Sequence, residues 1–334
     1  MDRMIITRSP FRISFFGGGT DYPRWFREHG GAVLATTIDK YCYISCRRLP
    51  PFFTHKHRIV YSRIENVVDI DEIEHPSVRA VLNWANIAEG LDIHRDGDLP
   101  ARSGLGSSSA FTVGLAHALY ALRGEMVSPK TLASDAIHIE QNLIGENVGS
   151  QDQISAAFGG MNLIDFRRDG SFDVEPVIVP PWRLDELHGH LLLLFTGFSR
   201  IADAIAKSTI DNVKQREQEQ FQMRGMVDEA ISILANPNTP IEAFGRLLDA
   251  SWQYKRRLSD RVSTPHIDEI YEAAIQAGAL GGKILGAGGG GFMLLFAKPE
   301  HHAKIRERLK HLLHVKFKFD TSGSRIVLYQ PNGL

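Results

Sequence analysis

The stretch Pro100-Ala101-Arg102-Ser103-Gly104-Leu105-Gly106-Ser107-Ser108-Ser109-Ala110 feeds a glycine-rich turn into three hydroxyl side chains at the start of an apolar run. If that run is helical, its unpaired N–H groups and the positive end of its dipole face the loop and favour a phosphate. The serines can add donors or hold a metal ion. An ordinary serine N-cap after a turn is the alternative, but it needs neither the Pro spacing, the doubled Gly nor the triple Ser. No Lys follows, so this is not the nucleotide loop ending in Gly-Lys-Ser/Thr.

Three more segments carry residue types fit for the same site. Arg12-Ile13-Ser14-Phe15-Phe16-Gly17-Gly18-Gly19-Thr20-Asp21-Tyr22 sets an Arg and an Asp around a glycine turn. Glu140 and Asp152 bracket Gln141 to Gln151, where two carboxylates could flank a metal-nucleotide and a substrate hydroxyl. Near the C-terminus lies Gly281-Gly282-Lys283-Ile284-Leu285-Gly286-Ala287-Gly288-Gly289-Gly290-Gly291-Phe292. It holds a Gly-x-Gly-x-x-Gly string, but a dinucleotide fold wants that string after a first strand and opening a helix; here a strand follows it. Plain alternatives exist for each segment alone: a β-turn with Asp21 as a cap, solvated charges at helix ends, a linker. Glycine numbers 30 of 334 residues, against about 23 at average usage, and the excess sits in these clusters. Clustered glycine lets backbone approach a ligand, and clusters at the beginning, middle and end of a chain suggest one site assembled from distant pieces.

The elements that must position these residues follow from periodicity. Residues 4–16 read as a strand entering the first glycine cluster, and 32–47 as one or two more. Weaker strands fall in 57–70, and a helix runs from Pro76 to Glu89. Residues 107–122 form a buried helix, Ser128-Pro129 opens another that runs to about 144, and 152–158 form a third before a strand at 161–166. Pro180-Pro181 marks a boundary. Beyond it come a strand at 191–195, helices near 201–234, 241–258 and 265–278, strands at 283–285 and 292–297, a helix at 299–313 and a final strand at 325–329. The class is α+β, with two domains, 1–181 and 182–334.

Composition excludes several functions. Apolar residues are 43% and charged residues 23%, as in ordinary globular proteins, which rules out disorder as the reading of the whole chain. Lys plus Arg is 38 and Asp plus Glu is 39, so no basic excess speaks for nucleic acid. The longest clean apolar run, 191–195, is too short for a bilayer, and Met1-Asp2-Arg3-Met4 opens no signal stretch, so the expected location is cytoplasmic. The two cysteines, Cys42 and Cys46, fit a reducing compartment and read as buried strand residues rather than metal ligands.

Together, and in this order along nearly the whole chain, the four segments resemble the GHMP kinase superfamily, the group of galactokinase, homoserine kinase and mevalonate kinase. The middle segment looks like its Pro-x-x-x-Gly-Leu-x-Ser-Ser phosphate loop. Gly145-x-Asn147-x-Gly149-x-x-Asp152-Gln153 is similar to the galactokinase segment carrying the catalytic Asp. The first segment matches in its Arg-to-Asp spacing and in Thr20-Asp21-Tyr22. It departs at Gly18 and Gly19, where galactokinases have Glu-His, and its Gly-Gly-Gly-Thr-Asp form looks more like bacterial heptose kinases that phosphorylate D-glycero-D-manno-heptose 7-phosphate at the anomeric oxygen; fucokinase-type enzymes share a similar string.

The resemblance implies a two-domain GHMP kinase fold, with a ribosomal-protein-like N-terminal domain and a ferredoxin-like α/β C-terminal domain. It implies ATP and Mg²⁺ as cofactors. Asp152 would be the catalytic acid-base group and Arg12 the cation beside it, stabilising charge on the γ-phosphoryl group. Pro100, Ser103, Gly104, Leu105, Gly106, Ser107, Ser108 and Ser109 would cradle ATP, and Ser108 with Glu140 would hold Mg²⁺. Asp21, Gly18, Gly19, Thr20, Gly288 and Gly289 would meet the sugar. The partners would be ATP and a small sugar phosphate, without nucleic acid or membrane; a homodimer is left open. A substrate phosphate would need a second basic subsite, for which Arg24, Arg27, Arg47, Arg48, Lys56, His57 and Arg58 are candidates. Thr196-Gly197-Phe198-Ser199-Arg200 is a further candidate sugar contact. The rival readings are another sugar 1-kinase, a non-catalytic sugar or ATP sensor on the same scaffold, and an RNA-binding module. Intact Arg12, Ser108, Glu140 and Asp152 favour the enzyme over the sensor, and the missing aromatic-basic stripe disfavours RNA.

Overall fold

The structure is a computed structural model that describes residues 4–101, 103–197 and 202–330. The chain opens with β1 (Met4–Phe16), whose first half alternates in burial and whose second half is buried on both faces. After α1 (Pro23–His29) it returns along β2 (Gly31–Arg48), antiparallel to β1 over nearly its whole length. Then come β3 (His57–Val60), β4 (Ile64–Val67), α2 (Pro76–Trp84) and β5 (Leu91–Gly97). Next are α3 (Ser107–Arg123), α4 (Pro129–His138), a π-helical stretch Ile139–Ile144, and α5 (Gln151–Phe158). β6 (Met161–Phe166) and β7 (Phe172–Pro176) complete this half.

The second half holds α6 (Pro181–Gly189), β8 (Leu191–Phe195), α7 (Ala202–Asp211), α8 (Glu217–Ala235), α9 (Glu242–Arg257) and α10 (Pro265–Gln276). It ends with β9 (Ala279–Ile284), β10 (Phe292–Ala297), α11 (His302–Arg308), β11 (Leu313–Val315), β12 (Phe319–Asp320) and β13 (Arg325–Gln330). Two sheets result. One has the order β13-β1-β2-β5-β3-β4, with β12 and β6 also on β2 and β7 on β6; the other is β11-β8-β10-β9.

Helix α3 is apolar almost all round and lies inside, on β1 and β2. It comes close because Gly114 has no side chain: a Cβ there would stand 3.0 Å from the Ser9 hydroxyl and 3.1 Å from Ile44. The β8 strand divides its side chains by its period of two, Leu191 and Leu193 joining the larger core and Leu192 and Leu194 a smaller core with Trp252, Ile270 and Met293. Phe244 of α9 meets Phe15 and Phe16 of β1 edge-on at 5.4 and 5.1 Å, so one apolar core runs through both halves. No helix among the described residues is long and apolar enough to cross a membrane.

Several expectations need correction. The boundary expected at Pro180-Pro181 falls at the start of an element: Pro181 takes the first position of α6, where its fixed φ suits a helix. β5, β7 and α6 were not expected, and the helix expected over 201–234 is broken between α7 and α8. A division at 181/182 would leave the last strands with the second unit, but β13 pairs with β1 and β12 with β2. β13 covers an edge that β1 would otherwise present to solvent. Removing residues 319–334 is therefore expected to abolish the cooperative thermal transition of the first sheet, read by circular dichroism; a melt within ~3 °C of the full chain contradicts this role.

Candidate active site

Arg12 lies in β1 opposite Thr37 of β2 and is almost fully buried. Its Nε and Nη2 donate to the two oxygens of the Asp152 carboxylate at 2.8 and 2.9 Å. Its Nη1 donates to the Gly104 carbonyl at 2.7 Å, and its backbone N–H to the Leu105 carbonyl at 3.0 Å. One residue thus binds a strand, the 100–109 loop and α5 together, through a bidentate, charge-assisted pair. Asp152 sits in the first turn of α5, where the helix dipole favours a carboxylate.

The 100–109 loop is shaped before any ligand arrives. Ser103 Oγ donates to the Pro100 carbonyl at 2.7 Å, and Leu105 is fully buried, so these three fix the loop's path. Gly104 and Gly106 take φ of +85° and +73°, a left-handed conformation that favours glycine. A Cβ on Gly106 would press on Arg12 and Asp152. The late glycine cluster packs on this loop backbone to backbone: a Cβ on Gly286 would stand 2.6 Å from Gly104 Cα, and one on Gly291 would overlap the Ser103 carbonyl. Ser107 and Ser109 are buried, while Ser108 is exposed.

Glu140 stands in the π-helical stretch, an irregularity frequent at functional sites. It is buried, and burial pushes its carboxyl up to about 7. Oε2 accepts from Ser109 Oγ at 2.8 Å and from Gln153 Nε2, while Oε1 has no partner among the described residues. The orphaned Glu140 oxygen and the exposed Ser108 hydroxyl are both hard oxygen donors of the kind that suits Mg²⁺, but of the two only Ser108 lines the cavity shared with Arg12 and Asp152.

Arg12, Asp152, Ser108, Gly18, Gly19 and Asp21 line one cavity of about 620 Å³. Asp21 accepts from Gly19 N–H at 2.9 Å and from the Gln151 side chain at 3.0 Å, and burial raises its pKa. It therefore ties the first glycine turn to α5 as well as facing the cavity. Three expected sugar contacts lie off the cavity wall. Thr20 turns inward, donating to the Gly17 and Ala32 carbonyls and accepting from Ala32 N–H, because the turn needs a buried hydroxyl there. Gly288 and Gly289 lie against the Val262 backbone, with Gly289 N–H bonded to its carbonyl at 2.9 Å.

Of the basic candidates, Arg47 is bound to Asp92 and Arg48 to Glu89, and Lys56, His57 and Arg58 do not line the cavity. Arg24 and Arg27 border an adjoining depression that shares Tyr22, Glu146, Asn147 and Val148 with the cavity. Thr196 bonds to the Gly291 carbonyl at 3.0 Å; Phe198, Ser199 and Arg200 lie outside the described residues. Cys42 and Cys46 are buried and unpaired on β2, and burial pushes their thiols up to about 11 and about 12.

Among the wall residues that sequence reasoning missed, four carry polar groups fit to meet a ligand. Ser14 Oγ and Gln151 Oε1 are buried with no partner among the described residues. Lys255 and Lys283 are buried lysines that face the cavity. Ser14, Gln151 and Lys283 stand inside the motifs quoted above; Lys255 stands in none, and only its place in an otherwise amphipathic helix marks it.

A phosphate-shaped loop, a carboxylate clamped by an arginine and a polar cavity between them define a site for moving a phosphoryl group to a small molecule. The family model for the GHMP kinases N terminal domain matches residues 75–160, and that for the GHMP kinases C terminal domain matches 232–314. The chain belongs to the GHMP kinase family and is a kinase. It is 29% identical over 321 residues to the D-glycero-alpha-D-manno-heptose 7-phosphate kinase of Campylobacter jejuni, covering 92% of this chain and 94% of that one. It is 26% identical to the bifunctional fucokinase/GDP-fucose pyrophosphorylase of Arabidopsis thaliana, covering 92% of this chain and 31% of that protein. Among solved structures, a D-glycero-D-manno-heptose 1-phosphate kinase from Bacteroides thetaiotaomicron shares the fold, with a TM-score of 0.78 at 21% identity over 96% and 97% of the two chains.

Two substitutions separate wall from scaffold. Gly286→Ala adds a strained left-handed alanine against Gly104 and is expected to cost about 1–3 kcal/mol and weaken ATP binding at least ~10-fold, measured by denaturant melts and calorimetry. Thr20→Val leaves three backbone partners without the hydroxyl; it is expected to cost about 1–3 kcal/mol with the sugar KM unchanged within ~2-fold.

Proposed function

We propose that this kinase transfers the γ-phosphoryl group of ATP to the anomeric hydroxyl of a sugar, with D-glycero-D-manno-heptose 7-phosphate as the substrate and the 1,7-bisphosphate as product. The observation that carries the transfer is the Arg12–Asp152 pair on the wall of the cavity that Ser108 enters. Phosphoryl transfer demands alignment and charge neutralisation more than covalent chemistry. The 104–109 loop would hold the terminal phosphates by backbone N–H groups and serine hydroxyls. Asp152 would accept the proton of the sugar hydroxyl, or orient it, as its oxygen attacks phosphorus. Arg12 holds that carboxylate in one rotamer. Ser108 and Glu140 would hold Mg²⁺, which would neutralise phosphate charge when bound.

A sugar is supported by the unpartnered Ser14 Oγ and Gln151 Oε1, which hydroxyl groups would satisfy. The sugar's own phosphate is supported by Arg27 at the adjoining depression, and by Arg24 beside it, which is held only by an exposed 3.5 Å pair with Asp211. Gly18 and Gly19 leave the wall open where a larger side chain would narrow it. The end-to-end similarity to a heptose 7-phosphate kinase supports this substrate, and the similarity to a fucokinase keeps an unphosphorylated deoxyhexose as the competing reading.

ATP consumption across a panel of free sugars and sugar phosphates, with the product read by phosphorus NMR, tests the substrate. A new anomeric phosphate on the heptose 7-phosphate is expected; turnover of unphosphorylated hexoses alone contradicts it. With the true substrate, Asp152→Asn is expected to keep the fold and ATP binding while turnover drops at least ~10²-fold. Near-normal turnover would remove Asp152 from its role.

A further inference from the structure

Two ammonium groups on the cavity wall have no part in the chemistry above. Lys255, near the end of α9, is 8% exposed, and Lys283, in β9, is 2% exposed. Lys255 Nζ donates to the Ile284 and Gly286 carbonyls at 2.7 and 2.6 Å. Lys283 Nζ donates to the Phe15 carbonyl at 2.8 Å. An ammonium has three donors. Beyond these bonds Lys255 keeps one N–H and Lys283 two, with no carboxylate at ion-pair distance among the described residues.

Their anchors place them beside the reacting centre. Gly286, whose carbonyl holds Lys255, rests on Gly104 of the phosphate loop. Phe15, whose carbonyl holds Lys283, follows Arg12 in β1. The third cation of the cavity wall, Arg12, is already matched by Asp152. Among the described residues, the loop from Ser103 to Ser109 offers N–H and hydroxyl groups but no charged side chain. Lys255 and Lys283 are therefore the unmatched cations of the described wall, and keeping a cation buried without a counter-ion is costly unless an anion arrives.

We propose that Lys255 and Lys283 grip the phosphoryl group in transit, donating to its oxygens as it leaves the nucleotide. The bond between phosphorus and the β–γ bridging oxygen breaks, and ADP keeps that electron pair. The bond between phosphorus and the sugar oxygen forms, and the hydroxyl proton goes to Asp152. The lysines change no bonds; they are catalytic through hydrogen bonds that strengthen as charge spreads over the phosphoryl oxygens. This rests on the kinase chemistry and not on which sugar is used.

Protonation supports the assignment. Burial lowers both ammonium pKa values, Lys283 to about 7, and Arg12 pushes the same way. For Lys255 the Lys283 charge adds to this, while for Lys283 the Asp21 carboxylate opposes it. The other titratable groups on this wall are Tyr22, Glu146 and Asp152. An arriving phosphoryl anion would return protons to the lysines.

The test uses the full chain with Lys255→Met or Lys283→Met, ATP, and the heptose with and without its 7-phosphate, or the sugar that the panel identifies. Each variant is expected to lose at least ~30-fold in kcat, with sugar KM within ~3-fold, and to the same extent on phosphorylated and free sugar. Unchanged kcat overturns the proposal. A loss seen only as a raised KM for the phosphorylated sugar also overturns it, because the lysines would then read the sugar's own phosphate. If a variant does not fold, the wild-type protein decides. Calorimetry at pH 8 in two buffers of different ionisation enthalpy, with a non-hydrolysable ATP analogue and the sugar, is expected to show net proton uptake; none overturns the proposal. Failure of the heptose as substrate would appear in the wild-type panel alone and leaves the lysine test intact.

Discussion

A single buried guanidinium holds the site together. Arg12 takes the Asp152 carboxylate with two N–H groups, the phosphate-loop carbonyl of Gly104 with a third, and Leu105 through its own backbone. Removing the guanidinium would leave a partly buried carboxylate and the Gly104 carbonyl to find water. The fold has accordingly been built around it: β1 is paired on both sides, by β2 and β13, so the strand that carries Arg12 has little freedom to shift. The glycines answer the same constraint from the other side. Gly104 and Gly286 touch backbone to backbone, which no side chain would allow.

Charge is distributed around that pin with little waste. Asp21 is bonded to Gly19 N–H and Gln151, so its carboxylate braces the glycine turn against α5. Glu140 is braced by Ser109 and Gln153 with one oxygen left over. Among the described residues, Lys255 and Lys283 hydrogen-bond only to backbone carbonyls. In the proposed function, a phosphoryl group and a metal ion would bring the complementary charge. Preorganised groups of this kind contribute to transfer because they need not reorganise as the charge moves.

Much of this was legible from the residues. The bounds of β1, β6 and β10 follow from apolar runs ending in glycine or polar turns, and the glycine-rich loop, Arg12, Glu140 and Asp152 were singled out by motifs that resemble those of the GHMP kinases. What was not legible depends on contacts made far along the chain. β5 reads as a polar stretch, Asp92 through Asp96, and exists because β2 and β3 pair with it on either side. The last strand looks like part of the second half until β1 takes it as an edge partner. Thr20 and Gly18 stand in one motif, yet only Gly18 faces the cavity, because the Thr20 hydroxyl is tied inward to Gly17 and Ala32. Lys255 belongs to no motif at all; only folding brings α9 against β9 and the Ile284 and Gly286 carbonyls.

In the proposed mechanism these distant pieces form one centre where a nucleotide's end meets a sugar oxygen. A crystal structure with a non-hydrolysable ATP analogue and heptose 7-phosphate tests it most directly. The predicted result is a terminal phosphate seated on the 104–109 loop, with the anomeric oxygen about 2.6–3.2 Å from the Asp152 carboxylate and in line with that phosphate. A nucleotide bound away from the loop, or a sugar whose anomeric oxygen points away from Asp152, would contradict it.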